Sequence, residues 1–275
     1  MIKEKGRREL CKLYDNVTML GKNRAFKMAR LVHPEAQPYP PYNGNYGLVF
    51  EQVDGVSLGS MQVKKKHMDQ ILKMYGIFQK TTVKGNPYIM NAVDLDAIKK
   101  NCLDKCDELS AKSKKRFGVF VLYRFLLYLL KNRIAQMQKA DLVRSPEKIK
   151  LLHGDFHLGN ILFHKGKLQA FLDFEELRGG YPTEDLMRLV LSAVNKTPSF
   201  GGRYKILNKF IPYLVDKNKY DLQEWMLGLN TFFLFRIRKI LIRRSSISRR
   251  KLLRLIFSFQ FYTYAVSKLD KAFRR

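Results

Sequence analysis

Three polar residues in the middle of the chain have the types and the spacing of a site for a hard divalent cation. Asp155 and Asn160 lie five positions apart in a glycine-containing loop, and Asp173 follows at the end of the next apolar segment. Carboxylate and amide oxygens suit Mg²⁺, which keeps several waters and takes few protein ligands when it binds together with a phosphate. The alternative is that Asp155 and Asp173 only cap turns, a common task of aspartate in loops. The spacing alone leaves both interpretations open.

A strand hairpin is needed to bring these residues together. The pattern predicts two short strands, Ile161–His164 and Leu168–Asp173, joined by a turn at Lys165-Gly166. Because strands joined by a short turn run antiparallel, this hairpin returns Asp173 to the end of a small sheet at which Asn160 lies.

The segment around Asp155 resembles the catalytic loop of a known family. His153-Gly154-Asp155-Phe156-His157-Leu158-Gly159-Asn160 is similar to the H-G-D-x-H-P-G-N loop of the aminoglycoside phosphotransferase and choline kinase branch of the protein-kinase-like superfamily. Asp173-Phe174-Glu175 resembles the metal-binding D-F-G motif of these kinases. Pro182–Leu186 resembles their segment ending in Asp-Leu, which opens a helix beneath the catalytic loop. The three motifs occur in the expected order within residues 150–190, and Leu158 stands where the family usually has proline.

The resemblance implies a chemical role for each residue that matches a motif. Asp155 would orient or deprotonate the acceptor hydroxyl, and Asn160 and Asp173 would hold Mg²⁺ that bridges the phosphates of ATP. Catalysis would then rest on positioning and on charge neutralisation around the transferred phosphoryl group.

Supporting roles follow from the same resemblance. His153 would hold the loop by hydrogen bonds rather than take part in the chemistry, and Asp185 would bond to the backbone of the loop. His157 occupies the place where protein kinases carry a lysine that touches the transferring phosphate. Its presence favours a small-molecule kinase over a Ser/Thr protein kinase.

Weaker similarity reaches back to a hinge-like segment, Phe50–Gly55. In such a hinge, Glu51 and Val53 would offer a backbone carbonyl and a backbone amide to adenine, with Phe50 behind the ring.

The region before the hinge departs from the family pattern. A complete kinase-like N-terminal lobe has a glycine-rich loop over the phosphates and a strand lysine paired with a helix glutamate. No G-x-G-x-x-G occurs in the chain, and only 49 residues precede Phe50. Lys3 or Lys5 is a candidate for the strand lysine and Glu9 for its partner, although all three also fit surface charges near a helix start. A late start codon or truncated gene, a reduced lobe and a loss of activity are three explanations. Intact Asp155, Asn160 and Asp173 argue against the last.

Composition excludes some classes of protein and points to an anionic partner. With 275 residues, of which 46% are hydrophobic, the chain can bury a sizeable core and is not a disordered protein. Lys and Arg number 52 against 24 Asp and Glu, a net charge of +28. This excess favours nucleic acid, an anionic membrane surface or phosphorylated small molecules as partners. Three cysteines, Cys11, Cys102 and Cys106, exclude a disulfide scaffold and fit a reducing compartment.

The sequence carries no evident targeting or membrane-spanning segment. The charges of the first ten residues are not followed by the apolar stretch of a signal peptide. The longest apolar run, Phe117–Leu130, contains Arg124 and is too short to cross a bilayer. We therefore expect a cytoplasmic protein, which can still lie on the inner face of a membrane.

Basic residues are concentrated near the C-terminus, at positions 236–254. The stretch from Trp225 to Leu269 contains no acidic residue, and aromatic residues are interleaved with the basic ones. One interpretation is a docking surface for anionic lipid, with the apolar face inserted. The other is a solvated helix face whose aromatic residues belong to the core. Nucleic acid is not expected as a partner, because that interpretation rests on charge alone and would make the motifs coincidental.

Hydrophobic periodicity predicts most of the other elements. Helices are expected at residues 7–20, 203–216, 222–244 and 249–272, and mostly helical structure at 57–139. A strand is expected at Met28–His33, and a hairpin turn at Asn43-Gly44 before a return strand at Tyr46–Gln52. The core around the catalytic loop is expected to include Phe125, Leu129, Leu152, Ile161, Leu172, Leu186 and Leu189.

These inferences combine into one expected architecture and activity. The fold class is α+β, protein-kinase-like, with a reduced N-terminal β lobe and hinge at residues 1–55 and a mainly helical C-terminal lobe at 56–275. The activity is an ATP- and Mg²⁺-dependent phosphotransferase acting on a hydroxyl of a small molecule or a lipid-linked sugar. The heptose kinases of lipopolysaccharide core assembly, kinase-like proteins of similar size, are a precedent for the second acceptor. The alternative is a catalytically impaired kinase-like binding or regulatory protein with a basic docking surface.

Overall fold

The computed structural model describes residues 2–5, 14–15, 17–18, 20, 27–28, 39–42, 45–80, 95–140, 148–242 and 248–274. Within these residues the chain forms short antiparallel sheets and long helices.

Eight short strands lie in the described residues and form three sheets with the orders β1-β3-β2, β4-β6-β7 and β5-β8. All the pairings within these sheets are antiparallel. In chain order the strands are β1 (Ile2–Lys5), β2 (Tyr39–Tyr42), β3 (Asn45–Val49), β4 (Val56–Ser57), β5 (Lys150–Leu152), β6 (Ile161–His164), β7 (Lys167–Phe171) and β8 (Arg178–Gly180).

Seven long helices account for most of the remaining described residues. They are α1 (Lys65–Gln79), α2 (Leu95–Lys112), α3 (Phe117–Ala140), α4 (Pro182–Lys196), α5 (Phe200–Lys217), α6 (Leu222–Ile242) and α7 (Arg249–Phe273). The last three confirm the helices expected from residue 203 onward. Of the helix expected at 7–20, the described residues 14, 15, 17, 18 and 20 are helical, and Val17 and Leu20 are buried. Together with the sheets, these helices confirm the α+β class.

The chain divides into two compact units, which we call the sheet unit and the helical unit. The sheet unit consists of residues 1–92 and 149–185 and contains all the described strands together with α1. The helical unit consists of residues 93–148 and 186–275. Helix α4 contributes Pro182–Asp185 to the sheet unit and continues into the helical unit from Leu186. The expected lobe boundary at residue 55 stays a prediction.

The predicted hairpin of the sheet unit is confirmed. Strands β6 and β7 pair from Ile161 opposite Phe171 to His164 opposite Lys167. Lys165 and Gly166 form the turn and have positive φ angles of 49° and 77°. Gln70 of α1 fixes this turn, since its Oε1 accepts from Leu168 N at 2.9 Å and its Nε2 donates to Gly166 O at 3.0 Å.

A second sheet contains the beginning of the chain. Strand β3 lies between β1 and β2, and Tyr42 pairs with Asn45 across positions 43 and 44, which lie outside the described residues. The predicted return strand ends at Val49, earlier than expected. Of the strand expected at Met28–His33, Met28 makes a bridge to Phe171, and the rest lies outside the described residues.

The expected core is only partly correct. Leu152, Ile161, Leu186 and Leu189 are fully buried, whereas Leu129 and Leu172 are half-buried. Phe125 is 46% exposed, so its assignment to the core is wrong. The apolar run in α3 is wider than the face that the helix buries, and Phe125 lies on the opposite side.

The aromatic residues near the C-terminal basic segment belong to the core of the helical unit. Phe232, Phe233, Phe259, Phe261 and Tyr262 are all at most 8% exposed. The ring of Phe233 lies 4.5 Å from that of Phe259 and 4.4 Å from that of Tyr262, measured between centroids. Of the two interpretations of this segment, these residues fit the one with aromatic residues in the core.

Two cysteines, Cys102 and Cys106, lie in the core of the helical unit. Both are free and fully buried, and burial raises the pKa of each thiol to about 12.

Within the described residues, no helix combines the length and the apolar character needed to span a bilayer.

Candidate active site

The catalytic-loop segment, residues 153–160, joins β5 to β6 and ends in a short 3-10 turn, Leu158–Asn160. His157 caps this turn, because its Nδ1 accepts from Gly159 N at 2.9 Å. Asn160 N donates to His157 O at 2.9 Å and closes the turn. A Cβ on Gly159 would lie 2.7 Å from the His157 ring, so glycine at this position allows the ring to cap.

Gly154 gives the loop its sharp bend. Its φ angle is +77°, and a Cβ at this position would lie 1.9 Å from the carbonyl oxygen of Glu176. Both the backbone conformation and the lack of space therefore exclude a side chain at this position.

Asp185 anchors the start of the loop from the first turn of α4. This carboxylate is fully buried and accepts from the backbone amides of His153 at 2.7 Å and Gly154 at 3.1 Å. Tyr75 of α1 donates its hydroxyl to the same carboxylate at 3.1 Å. Charge-assisted hydrogen bonds of this kind are roughly twice as strong as neutral ones. The position of Asp185 agrees with the supporting role expected from the motif.

His153 joins the loop to the strand that leads to Asp173. Its Nε2 donates to Leu172 O at 2.8 Å, and its ring centroid lies 4.8 Å from that of Phe174. The side chain is fully buried, and burial lowers its pKa to about 4. The nearby charges of Asp155 and Asp173 raise this pKa, but burial outweighs them. The ring is therefore neutral near pH 7 and acts as a hydrogen-bond donor within the loop.

The three residues first identified by their spacing converge on this network. Asn160 Nδ2 donates to the backbone carbonyl of Asp155 at 3.0 Å, and Leu172 N donates to the carbonyl of Asn160 at 2.9 Å. Asp173 follows directly and adopts the left-handed conformation, with φ 65° and ψ 66°. A non-glycine residue in this region is strained, and such strain is concentrated at functional sites. The hairpin thus places Asp155, Asn160 and Asp173 together, as its antiparallel course predicts.

His157 also reaches Asp155. Its Nε2 lies 3.4 Å from Asp155 Oδ2. Because Nδ1 accepts the Gly159 amide, the neutral ring carries its proton on Nε2, the nitrogen that faces the carboxylate.

The oxygen donors at this site suit Mg²⁺, which takes only some of its ligands from protein, better than a metal ion whose ligands all come from protein. The hydrogen bond from Asn160 Nδ2 to Asp155 fixes the amide, and its Oδ1 is the atom suited to a hard cation. Within the described residues, no group of three or more His, Cys, Asp or Glu side chains could hold a metal ion. One amide and one carboxylate, from Asn160 and Asp173, match a cation that takes its other ligands from water and phosphates.

Strand β4, which directly follows the hinge-like segment, is tied to the loop through Ser57, a residue that the motifs do not indicate. Ser57 Oγ donates to Leu158 O at 3.1 Å, and Ser57 pairs with Leu162 across β4 and β6. Phe50 is buried, Val53 is half-buried and Glu51 is exposed.

The candidate strand lysine lies in the sheet that leads to this hinge. Lys3 is on β1 opposite Leu48 of β3, and β3 runs directly toward Phe50. Glu9, its candidate partner, lies outside the described residues.

Comparison with known proteins finds a match to a family of phosphotransferases. Residues 78–213, about half of the chain, match the model of the phosphotransferase enzyme family. No curated protein sequence matches the chain significantly.

Three solved structures illustrate the shared fold. An aminoglycoside phosphotransferase from Alicyclobacillus acidocaldarius has a TM-score of 0.66 at 14% identity, over 98% of this chain and 83% of that one. A spectinomycin phosphotransferase in complex with ADP and spectinomycin has a TM-score of 0.61 at 14% identity, over 100% and 86%. An amicoumacin kinase in complex with AMP-PNP, Ca²⁺ and Ami has a TM-score of 0.53 at 17% identity, over 97% and 80%. The chain therefore has the kinase-like fold of these phosphotransferases and is similar to their family over residues 78–213, which confirms the enzyme class expected from the motifs.

Proposed function

We propose that the protein is an ATP- and Mg²⁺-dependent kinase that phosphorylates a hydroxyl group of a small molecule. The observation that carries this proposal is the hydrogen-bonded network that holds Asp155, Asn160 and Asp173 together, within residues that match a phosphotransferase family. The complexes of the spectinomycin and amicoumacin enzymes with ADP and AMP-PNP support a nucleotide donor.

In this proposal Asp155 acts on the acceptor. Its carboxylate accepts the proton of the hydroxyl while the bond from the hydroxyl oxygen to the γ-phosphorus forms and the bond to ADP breaks. His157 holds this carboxylate, since its Nε2–H faces Asp155 Oδ2 at 3.4 Å.

Asn160 and Asp173 act on the donor side of the reaction. Their oxygens would hold Mg²⁺, which when bound neutralises charge on the phosphates. The buried contacts of His153 and Asp185 keep these groups in place, so the chain itself supplies positioning rather than covalent chemistry.

For the acceptor, we propose a sugar or a lipid-linked sugar, with a lipopolysaccharide core sugar as one example. The net charge of +28 supports an acceptor that carries phosphate or other anionic groups. An acceptor attached to lipid would place the enzyme in the cytoplasm at the inner face of a membrane, where ATP is available.

A thermal-shift titration with ATP and Mg²⁺ tests the proposed function. Ligand binding to the folded state stabilises it by mass action, so saturating nucleotide should raise the Tm by several degrees. The Asp173→Ala variant should lose most of the Mg²⁺-dependent part of this shift. Asp216→Ala is the matched control, because Asp216 is an exposed residue of α5.

The second candidate is a kinase-like binding protein that no longer transfers phosphate. The observation that favours it is the lack of a G-x-G-x-x-G loop in the sequence, because that loop normally covers the phosphates. An unchanged Tm at millimolar ATP for the wild-type protein would favour this candidate over the kinase.

A further inference from the structure

Helix α3 carries an apolar stripe that the helical unit leaves exposed. Its members recur at intervals of three or four residues, so they share one face of the helix. They are Phe117, Val121, Phe125 and Tyr128, which are 78%, 45%, 46% and 60% exposed. The opposite face carries the residues that enter the core, among them Tyr123, Leu126, Leu127 and Leu130. Four large apolar side chains on one face form a patch rather than the scattered exposure that is normal for a protein surface.

Basic residues surround this stripe. Lys114, Lys115 and Arg116 directly precede it and are exposed, and Arg124 and Lys131 are exposed along the helix. Arg124 lies 3.7 Å from Asp107, an exposed residue of α2. The chain has no acidic residue from Leu109 to Ala140.

The position of the basic cluster is unfavourable for the helix itself. Lys114, Lys115 and Arg116 stand at the N-terminus of α3, where the helix dipole favours negative charge. The same three cations closely follow the C-terminus of α2 at Lys112, where the dipole of that helix favours positive charge. Helix dipoles therefore do not decide the matter, whereas an anionic partner would neutralise all three cations together.

We propose that this face of α3 docks on an anionic membrane surface. The name α3 face is used here for the apolar stripe together with Lys114, Lys115, Arg116, Arg124 and Lys131. Aromatic and aliphatic side chains that enter the boundary of the acyl chains, with Lys and Arg at the level of the lipid phosphates, are typical of a helix that lies in the interface. The stripe extends for about 16 Å along the helix, which suits a helix lying in the membrane plane.

Charge favours lipid over a second copy of the chain as the occupant. Each copy carries a net charge of +28, and each α3 face is itself basic. Pairing two such faces would bring like charges together, whereas anionic lipid complements both the cations and the apolar side chains. The proposal rests on exposure and charge alone, so it stands or falls independently of the kinase activity.

Co-sedimentation of the full-length protein with lipid vesicles tests the proposal. The probes are vesicles of phosphatidylcholine with phosphatidylglycerol, compared with vesicles of phosphatidylcholine alone, at physiological and at high ionic strength. We expect binding to the anionic vesicles that high salt only partly reverses, because salt screens the charges but not the apolar insertion.

The variant Phe117→Ser/Phe125→Ser isolates the stripe. Both side chains are exposed, so the fold should tolerate the change, and binding to anionic vesicles should fall about tenfold. The matched control is Phe200→Ser/Phe273→Ser, which alters two exposed phenylalanines elsewhere in the helical unit. Should the first variant fail to fold, as judged by circular dichroism, Tyr128→Ser at the other end of the stripe replaces it.

A pair of charge variants isolates the basic cluster. Lys114→Gln/Lys115→Gln/Arg116→Gln removes three cations from the α3 face, and Lys64→Gln/Lys65→Gln/Lys66→Gln removes three exposed cations from the sheet unit. Both variants lower the net charge by three, so a difference between them reports the α3 face rather than general charge. We expect the first variant to weaken binding severalfold and the second to have little effect.

Three results would overturn the proposal. One is a failure of the wild-type protein to bind anionic vesicles at all. Another is equal binding by the stripe variant and its control, which would assign the attraction to general charge. The third is a dimer in lipid-free sedimentation equilibrium that the stripe variant converts to a monomer, which would make a second copy the occupant.

Discussion

The sheet unit and the helical unit bury different kinds of groups. Around the catalytic loop, the sheet unit buries a charged carboxylate and an imidazole, Asp185 and His153, and gives them specific hydrogen-bond partners. The helical unit packs mainly aliphatic and aromatic side chains, as in the cluster of Phe233, Phe259 and Tyr262. Apolar packing tolerates small changes of shape, whereas a buried charge requires each partner at the correct distance. The predicted effects of substitution therefore differ between the two units.

The largest effect is expected where backbone conformation and space both exclude a side chain. Gly154→Ala should cost more than about 4 kcal/mol of unfolding free energy, because the new Cβ would overlap the Glu176 carbonyl. The matched control is Gly76→Ala in α1, where a Cβ meets no atom within 4 Å. That change should stabilise the protein by up to about 1 kcal/mol, since alanine is the better helix former. Urea unfolding measures both, and a folded Gly154→Ala protein of wild-type stability would contradict the assignment of the bend.

The next prediction concerns a substitution that lowers the rate of phosphoryl transfer but leaves the stability of the protein unchanged. Asp155→Asn keeps the shape of the side chain but removes its ability to accept a proton, so phosphoryl transfer should fall about 10²- to 10⁴-fold. The measurement is ADP formation from ATP with candidate acceptors such as aminoglycosides and spectinomycin. The nucleotide-dependent rise in Tm should persist in this variant, because Asp155 is not expected to hold Mg²⁺. Loss of both the rate and the thermal shift would instead assign Asp155 to nucleotide binding.

The site and the surroundings that support it differ in how far the sequence predicts them. The hairpin of Ile161–Phe171 follows from a short alternating pattern around Lys165-Gly166, and the loop residues follow from a contiguous motif. The hydroxyl of Tyr75 reaches Asp185 from 110 positions away in sequence. Such a contact depends on the packing of α1 and leaves no local pattern, so sequence reasoning missed it.

Helix faces show the same limit. Periodicity correctly predicts α5, α6 and α7 because their apolar residues repeat at helical spacing. In α3 nearly all residues of Phe117–Leu130 are apolar, so the pattern does not indicate which side is buried. The expectation that Phe125 enters the core was wrong for this reason, and the exposed stripe became visible only in the structure.

A third prediction concerns the pH dependence of the free energy of unfolding, to which His153 contributes through its lowered pKa. Its pKa is about 4 in the folded protein against an ordinary value of 6.5, because burial disfavours the charged ring. Between these two pH values the unfolded chain binds a proton that the folded chain does not. Lowering the pH from 7 to 4 should therefore reduce the free energy of unfolding, by about 3 kcal/mol from this residue.

His153→Gln separates this contribution from that of other groups. Glutamine retains a donor for Leu172 O but does not titrate, so the variant should be less stable at pH 7 yet lose less stability between pH 6.5 and 4. Urea unfolding at several pH values gives both slopes. Equal slopes for the variant and the wild type would mean that His153 does not titrate with a lowered pKa.

The smallest of these effects compares one hydroxyl in each unit. Tyr75→Phe removes a hydrogen bond to the buried carboxylate of Asp185 and should cost about 2 kcal/mol. Tyr264→Phe removes an exposed hydrogen bond to Asn208 Oδ1 in the helical unit and should cost less than about 0.5 kcal/mol. Two backbone amides still hold Asp185 in the first variant, so its catalytic loop should persist and its loss of activity should be smaller than that of Asp155→Asn. Equal costs for the two tyrosine variants would show that the hydrogen bond from Tyr75 adds no stability beyond that of the two backbone amides that hold Asp185. The difference between the two units would then lie in the catalytic loop alone.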